Sequence, residues 1–276
     1  MAEPVRLDVA ASGVATITLD NPKVNALSEA VLARLGEIVA DVRSGSAGPV
    51  RTVVVTGGPR LFAAGADIAG FAVDPSPDTF ELARGAAVER YGAAFLDTFE
   101  ALAALEMPTI ASISGYALGG GLELALACDL RIASDRATLG LPELLLGIIP
   151  GGGGTQRLAR LIGPSRAKSL IFTGRQVRAD EALQLGLVDE VVPADELDGR
   201  VAELAGRLAS GAPNALACAK AAVDEGLDVD LAEGLRIEQR RFVQVFDSED
   251  ATIGVRSFLE SGPGHADFTS VERTSQ

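Results

Sequence analysis

The sequence contains very few of the residues that many catalytic and metal sites require. Of its 276 residues, one is histidine, two are cysteine and none is tryptophan. A metal site with several histidine ligands is therefore excluded, and a Ser-His-Asp triad would have to use His265, which we expect to face solvent or to pack. Cys128 and Cys218 are too far apart for a CxxC metal or redox motif, so we expect both to be buried apolar residues and predict no metal site.

Excess basic charge and long apolar runs are also missing. The formal net charge is −14, which disfavours binding to nucleic acid or to anionic lipid because that binding needs a basic surface. The longest apolar stretch, residues 101–127, is interrupted by Glu106, Pro108 and Glu123, so we expect no transmembrane helix. The first ten residues, MAEPVRLDVA, contain no apolar core typical of a secretory signal. We expect a cytoplasmic protein.

Alternation of short strands and helices predicts an α/β fold. Residues 6–10 and 14–19 alternate in polarity around Ser12-Gly13, which predicts a β-hairpin. Ser28 is placed to cap a helix whose apolar residues recur at three- and four-residue steps, and residues 52–56 form a β-branched run typical of a buried strand. We predict an α/β core over residues 1–194 with crossover connections between its strands.

The remainder of the chain, residues 195–276, has a helical pattern. Helices are predicted near residues 197–208, 215–223, 231–245 and 251–259. Their apolar positions, among them Leu235, Phe242 and Phe246, exceed what a lone surface helix needs. We therefore expect this region to pack on the core or on another subunit.

Three glycine-rich segments follow predicted strands: FAAGAD at 62–67, GYALGGGLE at 115–123 and PELLLGIIPGGGGTQR at 142–157. None fits the P-loop or the dinucleotide-binding pattern, so turns and close packing would explain each segment taken alone. In the second segment, however, the glycines open a helix, where unpaired amides and the helix dipole favour negative charge. The small side chains of FAAGAD would also let backbone N–H groups approach a ligand. Two amides from two loops could then bind one oxygen.

These segments, in this order, resemble the crotonase, or enoyl-CoA hydratase/isomerase, superfamily. ISGYALGGGLELALACDL and LPELLLGIIPGGGGTQRL carry the resemblance, which extends from the first hairpin to about Val192. It implies a crotonase-like spiral of ββα units with a helical C-terminal region that builds trimers, commonly paired into hexamers. It also implies that two backbone amides, which map to Ala64 and Gly120, hold the thioester carbonyl in an oxyanion hole.

In that family, hydratases have two glutamates at the positions of Glu123 and Glu143. From the residues alone, each glutamate could instead be an ordinary acidic residue in the first turn of a helix. With the resemblance, we predict that Glu123 activates water for attack on C3 and that Glu143 protonates C2. We also expect a glycine amide of residues 151–154 to orient Glu143. The predicted reaction is reversible syn addition of water to an enoyl-CoA, with coenzyme A as part of the substrate and no separate cofactor.

Further substrate contacts are expected around the first glycine-rich segment. Relatives often contact the CoA moiety where Lys23 lies, and we predict substrate contacts from the following positions: Ala64, Gly65, Ala66, Asp67 and Gly120. Asp67 could equally brace its own loop through local hydrogen bonds. We expect Asp129 to be a structural acceptor. The C-terminal segment ESGPGHADF lacks the basic residues that relatives often use to bind the CoA phosphates.

Two other functions remain open. An enoyl-CoA isomerase on the same fold would need only one base, and the presence of both glutamates disfavours it. A non-catalytic acyl-CoA-binding or RNA-binding member of the superfamily is disfavoured by the acidic charge and by the two glutamates. Selectivity for the acyl chain is expected in residues 69–90, where the sequence predicts a mobile entrance followed by a helix.

Overall fold

The computed structural model describes residues 3–273, which form a mixed α/β fold. The strands are β1 Val5–Val9, β2 Val14–Leu19, β3 Thr52–Thr56, β4 Ala72–Asp74, β5 Glu81–Leu82, β6 Thr109–Ile113, β7 Tyr116–Leu118, β8 Leu130–Ser134, β9 Thr138–Gly140, β10 Val177–Arg178 and β11 Glu190–Val192. The helices are α1 Glu29–Ser44, α2 Ala86–Ala103, α3 Gly120–Leu126, α4 Gly154–Ile162, α5 Pro164–Thr173, α6 Ala179–Leu185, α7 Leu197–Ala209, α8 Pro213–Leu227, α9 Leu231–Val245 and α10 Glu249–Ser261. Ile68–Phe71 and Glu143–Leu146 are 3-10 turns.

A six-stranded sheet with the order β1-β2-β3-β6-β8-β11 forms the centre of the fold. The predicted hairpin is confirmed, because β1 and β2 pair antiparallel around Gly13, whose φ of 83° suits a residue without a Cβ. The other neighbours pair in parallel through helical crossovers. Helix α1 begins as predicted, with the Ser28 hydroxyl accepting from the Val31 N–H.

The glycine-rich segments lie at the carboxyl ends of the parallel strands. FAAGAD follows β3, and GYALGGGLE follows β6. A second, three-stranded sheet, with the order β10-β9-β7, continues from the first and leads into the 3-10 turn at Glu143. One large apolar core lies beneath all these elements. The carboxyl ends of parallel strands are where α/β folds commonly place ligand sites.

The C-terminal helices are present as predicted, and the described chain has no strand between residues 195 and 273. Helix α7 packs on the main sheet through a second apolar cluster that includes Leu197, Val201 and Ile110. Helices α8 and α9 cross closely at two glycines, where a Cβ on Gly234 would lie 3.3 Å from the Gly226 carbonyl oxygen. Helix α7 therefore packs against the core, and α9 packs on α8. None of the helices within residues 3–273 has the length and hydropathy needed to cross a bilayer.

Several short elements differ from the sequence-based expectation. Strands β7 and β9 have three residues each and were not predicted. The segment 69–90 contains a 3-10 turn, the β4–β5 pair and the start of α2. These elements are too short for polarity to alternate visibly, and their pairing depends on neighbours distant in sequence.

Candidate active site

Helix α3 places Glu123 in the interior of the protein. The helix opens at Gly119, which has a φ of 52°, and a Cβ on Gly121 would lie 2.2 Å from the Ala63 carbonyl oxygen. Only glycine allows so close an approach of the two backbones. The Glu123 side chain then lies one turn into the helix with an exposed fraction of 3%. The carboxyl group is therefore almost completely shielded from bulk water.

Two backbone amides hold the Glu123 carboxyl group. Its Oε1 atom accepts from the Gly152 N–H at 2.8 Å and from the Gly154 N–H at 2.7 Å. Gly154 is also the first residue of α4, so the positive end of that helix dipole faces the carboxylate. Burial raises the pKa of Glu123, while the two amides and the charge of Arg157 act in the opposite direction. The site thus gives the ionised form of Glu123 specific partners.

Glu143 lies nearby in a different environment. It is the first residue of its 3-10 turn, and its Oε1 atom lies 2.9 Å from the position that a Cβ on Gly119 would occupy. Its Oε2 atom is buried without a hydrogen-bond partner among residues 3–273. Burial raises the pKa of Glu143 to about 7, and the charge of Glu123 adds to the increase. Glu143 therefore retains a proton to a much higher pH than an ordinary glutamate.

The glycine run of residues 151–154 serves a different glutamate from the one expected. We predicted that one of its amides would orient Glu143, but its amides from Gly152 and Gly154 bind Glu123. That prediction is wrong because the run turns back toward α3 before α4 begins. A Cβ on Gly154 would lie 2.8 Å from Oε1 of Glu123, so the close contact depends on glycine.

The backbone of the FAAGAD segment corrects the expectation for Ala64. The Ala64 N–H donates to the Val24 carbonyl oxygen at 3.0 Å, so it is not free to bind a ligand. Ala66 is different, because its N–H has no acceptor among the described residues, and neither has the N–H of Gly120. A Cβ on Gly120 would lie 3.5 Å from the Ala66 nitrogen, which places the two free amides side by side. The pair of free donors is Ala66 and Gly120.

Residues that the sequence analysis did not single out hold this segment in place. The Asn25 side chain donates to the Gly57 carbonyl at 3.1 Å and to the Phe62 carbonyl at 3.0 Å. Tyr91 donates its hydroxyl to the Leu27 carbonyl, with an O···O distance of 2.8 Å. The only signal for Asn25 was its place in the segment NPKVNALS. Tyr91 gave no signal beyond its apolar periodicity.

Gly65 and Asp67 shape the same segment from within. Gly65 has a φ of 113°, and a Cβ there would lie 3.1 Å from the Leu118 carbonyl oxygen, so the turn requires glycine. Asp67 accepts from the Ala69 N–H at 3.1 Å and caps the following 3-10 turn. Of the two roles considered for Asp67, the structure therefore shows the local one, in which its side chain holds its own loop through a hydrogen bond.

Lys23 lies at the surface beside a small cavity. The cavity has a volume of about 190 Å³, and its lining includes Lys23, Arg6 and Arg60. Arg6 forms an ion pair at 3.5 Å with Asp20, and Asp20 also lines the cavity. The cavity is thus a locally basic place on an acidic protein.

The remaining residues considered in the sequence analysis have structural or peripheral positions. Asp129 accepts from the Thr109 N–H at 2.7 Å and from Lys220 at 2.9 Å, which confirms its structural role. Cys128 and Cys218 are buried as predicted, and burial raises the pKa of the Cys128 thiol to about 12. His265 is exposed, in the loop after α10.

Comparison with known proteins identifies the family to which this arrangement belongs. The family model described as enoyl-CoA hydratase/isomerase matches residues 10–269. The chain belongs to the enoyl-CoA hydratase/isomerase family. The short-chain-enoyl-CoA hydratase of Clostridium acetobutylicum is 40% identical over 249 residues, which cover 90% of this chain and 91% of that protein. The crotonyl-CoA hydratase of Syntrophomonas wolfei is also 40% identical, with 90% of this chain and 92% of that protein covered.

Solved structures agree with the family assignment. The crystal structure of an enoyl-CoA hydratase from Bacillus anthracis superposes with a TM-score of 0.84 at 40% identity. The match covers 93% of this chain and 96% of that one, so it includes the helical C-terminal region. The crotonase fold expected from the sequence is therefore confirmed. Members of this family act on enoyl-CoA substrates.

Proposed function

We propose that the protein is an enoyl-CoA hydratase, which adds water reversibly and in syn fashion across the 2,3-double bond of its substrate. One observation carries this proposal: Glu123, which is buried, and Glu143, which is half-buried, share one site but have opposite surroundings. Glu123 has two N–H donors on its carboxyl group, and Glu143 has a buried oxygen without a hydrogen-bond partner in the described part of the chain. Environments that differ in this way supply one base and one acid at the same pH.

In the hydration direction, Glu123 takes a proton from water as the water oxygen bonds to C3. The π electrons of the double bond move into the thioester, which becomes an enolate. Glu143 then gives its proton to C2 as the enolate collapses. Each proton transfer of this kind contributes about 10²- to 10⁴-fold in rate. The pair holds one proton before and after the reaction: hydration begins with this proton on Glu143 and ends with one on Glu123, which is the state from which dehydration begins. A proton must return from Glu123 to Glu143 before the next hydration.

The enolate oxygen is assigned to the amides of Ala66 and Gly120. Both N–H groups lack an acceptor within residues 3–273, and they lie side by side. Gly120 also opens α3, so the helix dipole favours an anion at that point. Each donor of this kind is worth about 3 to 4 kcal/mol of activation free energy. Ala66 thus takes the role that the sequence analysis gave to Ala64.

A hydration assay separates the hydratase from its alternatives. Purified protein is mixed with crotonyl-CoA, and the absorbance of the conjugated enoyl thioester is followed; a parallel reaction contains a 3-enoyl-CoA. Rapid loss with crotonyl-CoA supports the hydratase. Conversion of the 3-enoyl-CoA without hydration of crotonyl-CoA would favour an isomerase. Binding of acyl-CoA without turnover of either substrate would favour a non-catalytic member of the family.

The basic cavity beside Lys23 is our candidate for contact with the CoA phosphates. Lys23 has no ion-pair partner among residues 3–273, and Arg6 and Arg60 line the same cavity. Local positive charge of this kind attracts phosphate even on a protein with a net charge of −14. We therefore expect Lys23→Gln to raise KM for crotonyl-CoA about five- to tenfold with little change in kcat. Lys168→Gln, which changes an exposed lysine on α5, is the matched control, and an equal effect of both variants would remove the assignment.

The exposed apolar residues of the C-terminal helices support a homotrimer or a hexamer of paired trimers. The large apolar side chains at least half exposed on α9, at the residue that follows it and on α10 are Leu231, Leu235, Phe242, Val243, Phe246, Val255, Phe258 and Leu259. Contiguous apolar surface is typical of subunit interfaces. The chain mass is 28.4 kDa, so light scattering on the eluting protein should give about 85 kDa for a trimer or about 170 kDa for a hexamer. A mass near 28 kDa would contradict the proposal.

A further inference from the structure

Arg157 stands behind the loop that holds the candidate base. It lies on the first turn of α4, three residues after Gly154, and its side chain turns back toward the glycine run. We propose that Arg157 is a positioning residue that fixes the 152–154 loop and, through this loop, the Glu123 carboxylate. This inference rests on the proposed function of Glu123 as the base of the hydration reaction.

A hydrogen bond and a close approach connect Arg157 to the loop. Its Nη1 atom donates to the Gly152 carbonyl oxygen at 3.2 Å. The guanidinium group also covers Gly153, because a Cβ added there would lie 2.3 Å from the same nitrogen. Gly153 has a φ of 103°, which L side chains rarely adopt. The turn thus leaves no room for a side chain at residue 153, and the arginine fills that space.

Gly152 is held at both of its polar groups. Its N–H donates to Glu123 at 2.8 Å, while its carbonyl oxygen accepts from Arg157. Gly154 donates the second hydrogen bond to Glu123 and begins the helix that carries Arg157. The backbone N–H of Arg157 in turn donates to the Gly153 carbonyl oxygen at 2.8 Å. The Gly152 carbonyl belongs to the peptide plane between residues 152 and 153, which connects the two N–H groups that bind Glu123. Loss of the guanidinium would free this plane to rotate, and the N–H groups on either side of it would lose their fixed orientation toward the carboxylate.

Arg157 also supplies charge to the site. The charge of Arg157 from α4 acts on Glu123, and the charge of Glu123 acts on Glu143. Helix α2 contributes the ring of Phe99, whose Cε2 lies 3.0 Å from the position that a Cβ on Gly152 would occupy. The positive charge of Arg157 lowers the pKa of Glu123 against the effect of burial. Its removal must therefore raise the pH at which Glu123 loses its proton.

The test compares Arg157→Met and Arg157→Lys with Arg160→Met. Arg160 lies on the same helix, is exposed and bonds only to Gln156 within the described chain. We expect Arg157→Met to lower kcat for crotonyl-CoA about tenfold or more with little change in KM. In this variant the ascending limb of the plot of kcat/KM against pH should shift to higher pH by about 0.5 to 1 pH unit. Arg157→Lys should restore that limb because it restores the charge, while Arg160→Met should match the wild type.

A purely structural arginine would behave differently. Arg157→Met would then lower the melting temperature or the yield without shifting the ascending limb of the pH profile of kcat/KM. Arg157→Lys would not restore that limb more than it restores stability. Either result, or an equal loss in Arg160→Met, would overturn the inference. If Arg157→Met does not fold, Arg157→Lys tests the inference instead. In this variant the ascending limb of the pH profile of kcat/KM must stay at the wild-type pH while kcat falls.

A second readout separates this inference from the proposed function. The carboxyl carbon of Glu123 can be titrated by NMR in protein labelled with ¹³C-glutamate, with Glu123→Gln used for assignment. Arg157→Met should move that titration to higher pH in folded protein, whether or not crotonyl-CoA is hydrated. An unmoved titration in an active enzyme overturns the role of Arg157 alone. Absence of hydration by the wild type overturns the proposed function, and the NMR titration still judges Arg157.

Discussion

At the scale of single residues, the carboxyl groups of Glu123 and Glu143 differ in their hydrogen bonding. Two amides from the glycine run bind Glu123, whereas the buried Oε2 of Glu143 has no partner among residues 3–273. An unpaired buried oxygen is costly for a carboxylate and less so for a neutral carboxyl group. The hydrogen bonds thus stabilise a negative charge on Glu123, whereas the unpaired oxygen of Glu143 favours a proton on that residue.

This difference predicts how the rate depends on pH. Burial raises the pKa of Glu143 to about 7, so the acid is protonated below that pH and loses its proton above it. We therefore expect kcat/KM for crotonyl-CoA to fall as the pH rises through about 7, approaching tenfold per pH unit. Stopped-flow rates between pH 5 and 9 measure this limb. A rate that stays constant to pH 9 would contradict the assignment of Glu143 as the acid.

The residue scale is also where sequence reasoning failed. The pattern FAAGAD indicated that backbone amides would be available, but it could not identify which ones. The Ala64 N–H is bound to the Val24 carbonyl, which comes from a loop 40 residues earlier, while the Ala66 N–H has no acceptor within residues 3–273. The same limit applies to the glycine run, whose amides bind Glu123 across 29 and 31 residues of sequence. Hydrogen bonds between distant segments decide both cases.

At the scale of elements, helix α2 supports the three glycine-rich segments together. Tyr91, Phe95 and Phe99 lie four residues apart on one face, with ring centroids separated by 5.2 Å and 5.7 Å. Tyr91 contacts the FAAGAD segment, Phe95 lies under Gly120, and Phe99 lies under Gly152. This row of rings sets the relative positions of the two candidate oxyanion donors and the loop that holds Glu123.

Tyr91→Phe tests this support without changing the ring. The variant removes the hydroxyl that donates to the Leu27 carbonyl oxygen and lies 3.2 Å from the Asp67 carbonyl oxygen. We expect a loss of about 1 to 2 kcal/mol in unfolding free energy and a melting temperature lower by about 3 to 6 °C. Tyr116→Phe, which removes a half-exposed hydroxyl, is the control in the same thermal unfolding experiment. Equal shifts in the two variants would contradict the role of Tyr91.

Most long elements followed from the sequence, and the reasons are local. Helix α9 matches its prediction, because Asp230 caps it and its apolar residues repeat at helical spacing. Strand β3 is a buried β-branched run and also matches. By contrast, β7 and β9 hold three residues each and exist because they pair with each other in parallel. Pairing of this kind leaves no periodic signal in so short a segment.

At the scale of the whole molecule, Arg51 joins the main sheet to the C-terminal region. It lies just before β3, and its guanidinium donates to the Gly211 carbonyl at 2.8 Å, to Phe268 at 3.0 Å and to Val271 at 2.6 Å. It also donates to the Ala209 carbonyl. One side chain thus fastens the α7–α8 connection and the C-terminal segment to the core.

Arg51→Met should therefore loosen the C-terminal segment. Four carbonyl groups lose their donor at once, so we expect a loss of about 3 kcal/mol in stability. The melting temperature should fall by about 6 to 10 °C, and amides near Phe268 should exchange hydrogen faster. Arg256→Met changes an exposed arginine on α10 and should have little effect. Unchanged exchange near Phe268 in Arg51→Met would contradict this account.

The central claim is that two glutamates act as the base and the acid of a hydration reaction. Its most direct test is the turnover of crotonyl-CoA by the wild type, by Glu123→Gln and by Glu143→Gln, with folding checked by thermal unfolding. Glutamine keeps the size of the side chain and removes the ability to exchange a proton. The account predicts rapid hydration by the wild type and a loss of at least about 100-fold in each variant. Turnover near the wild-type rate in either folded variant would contradict the claim.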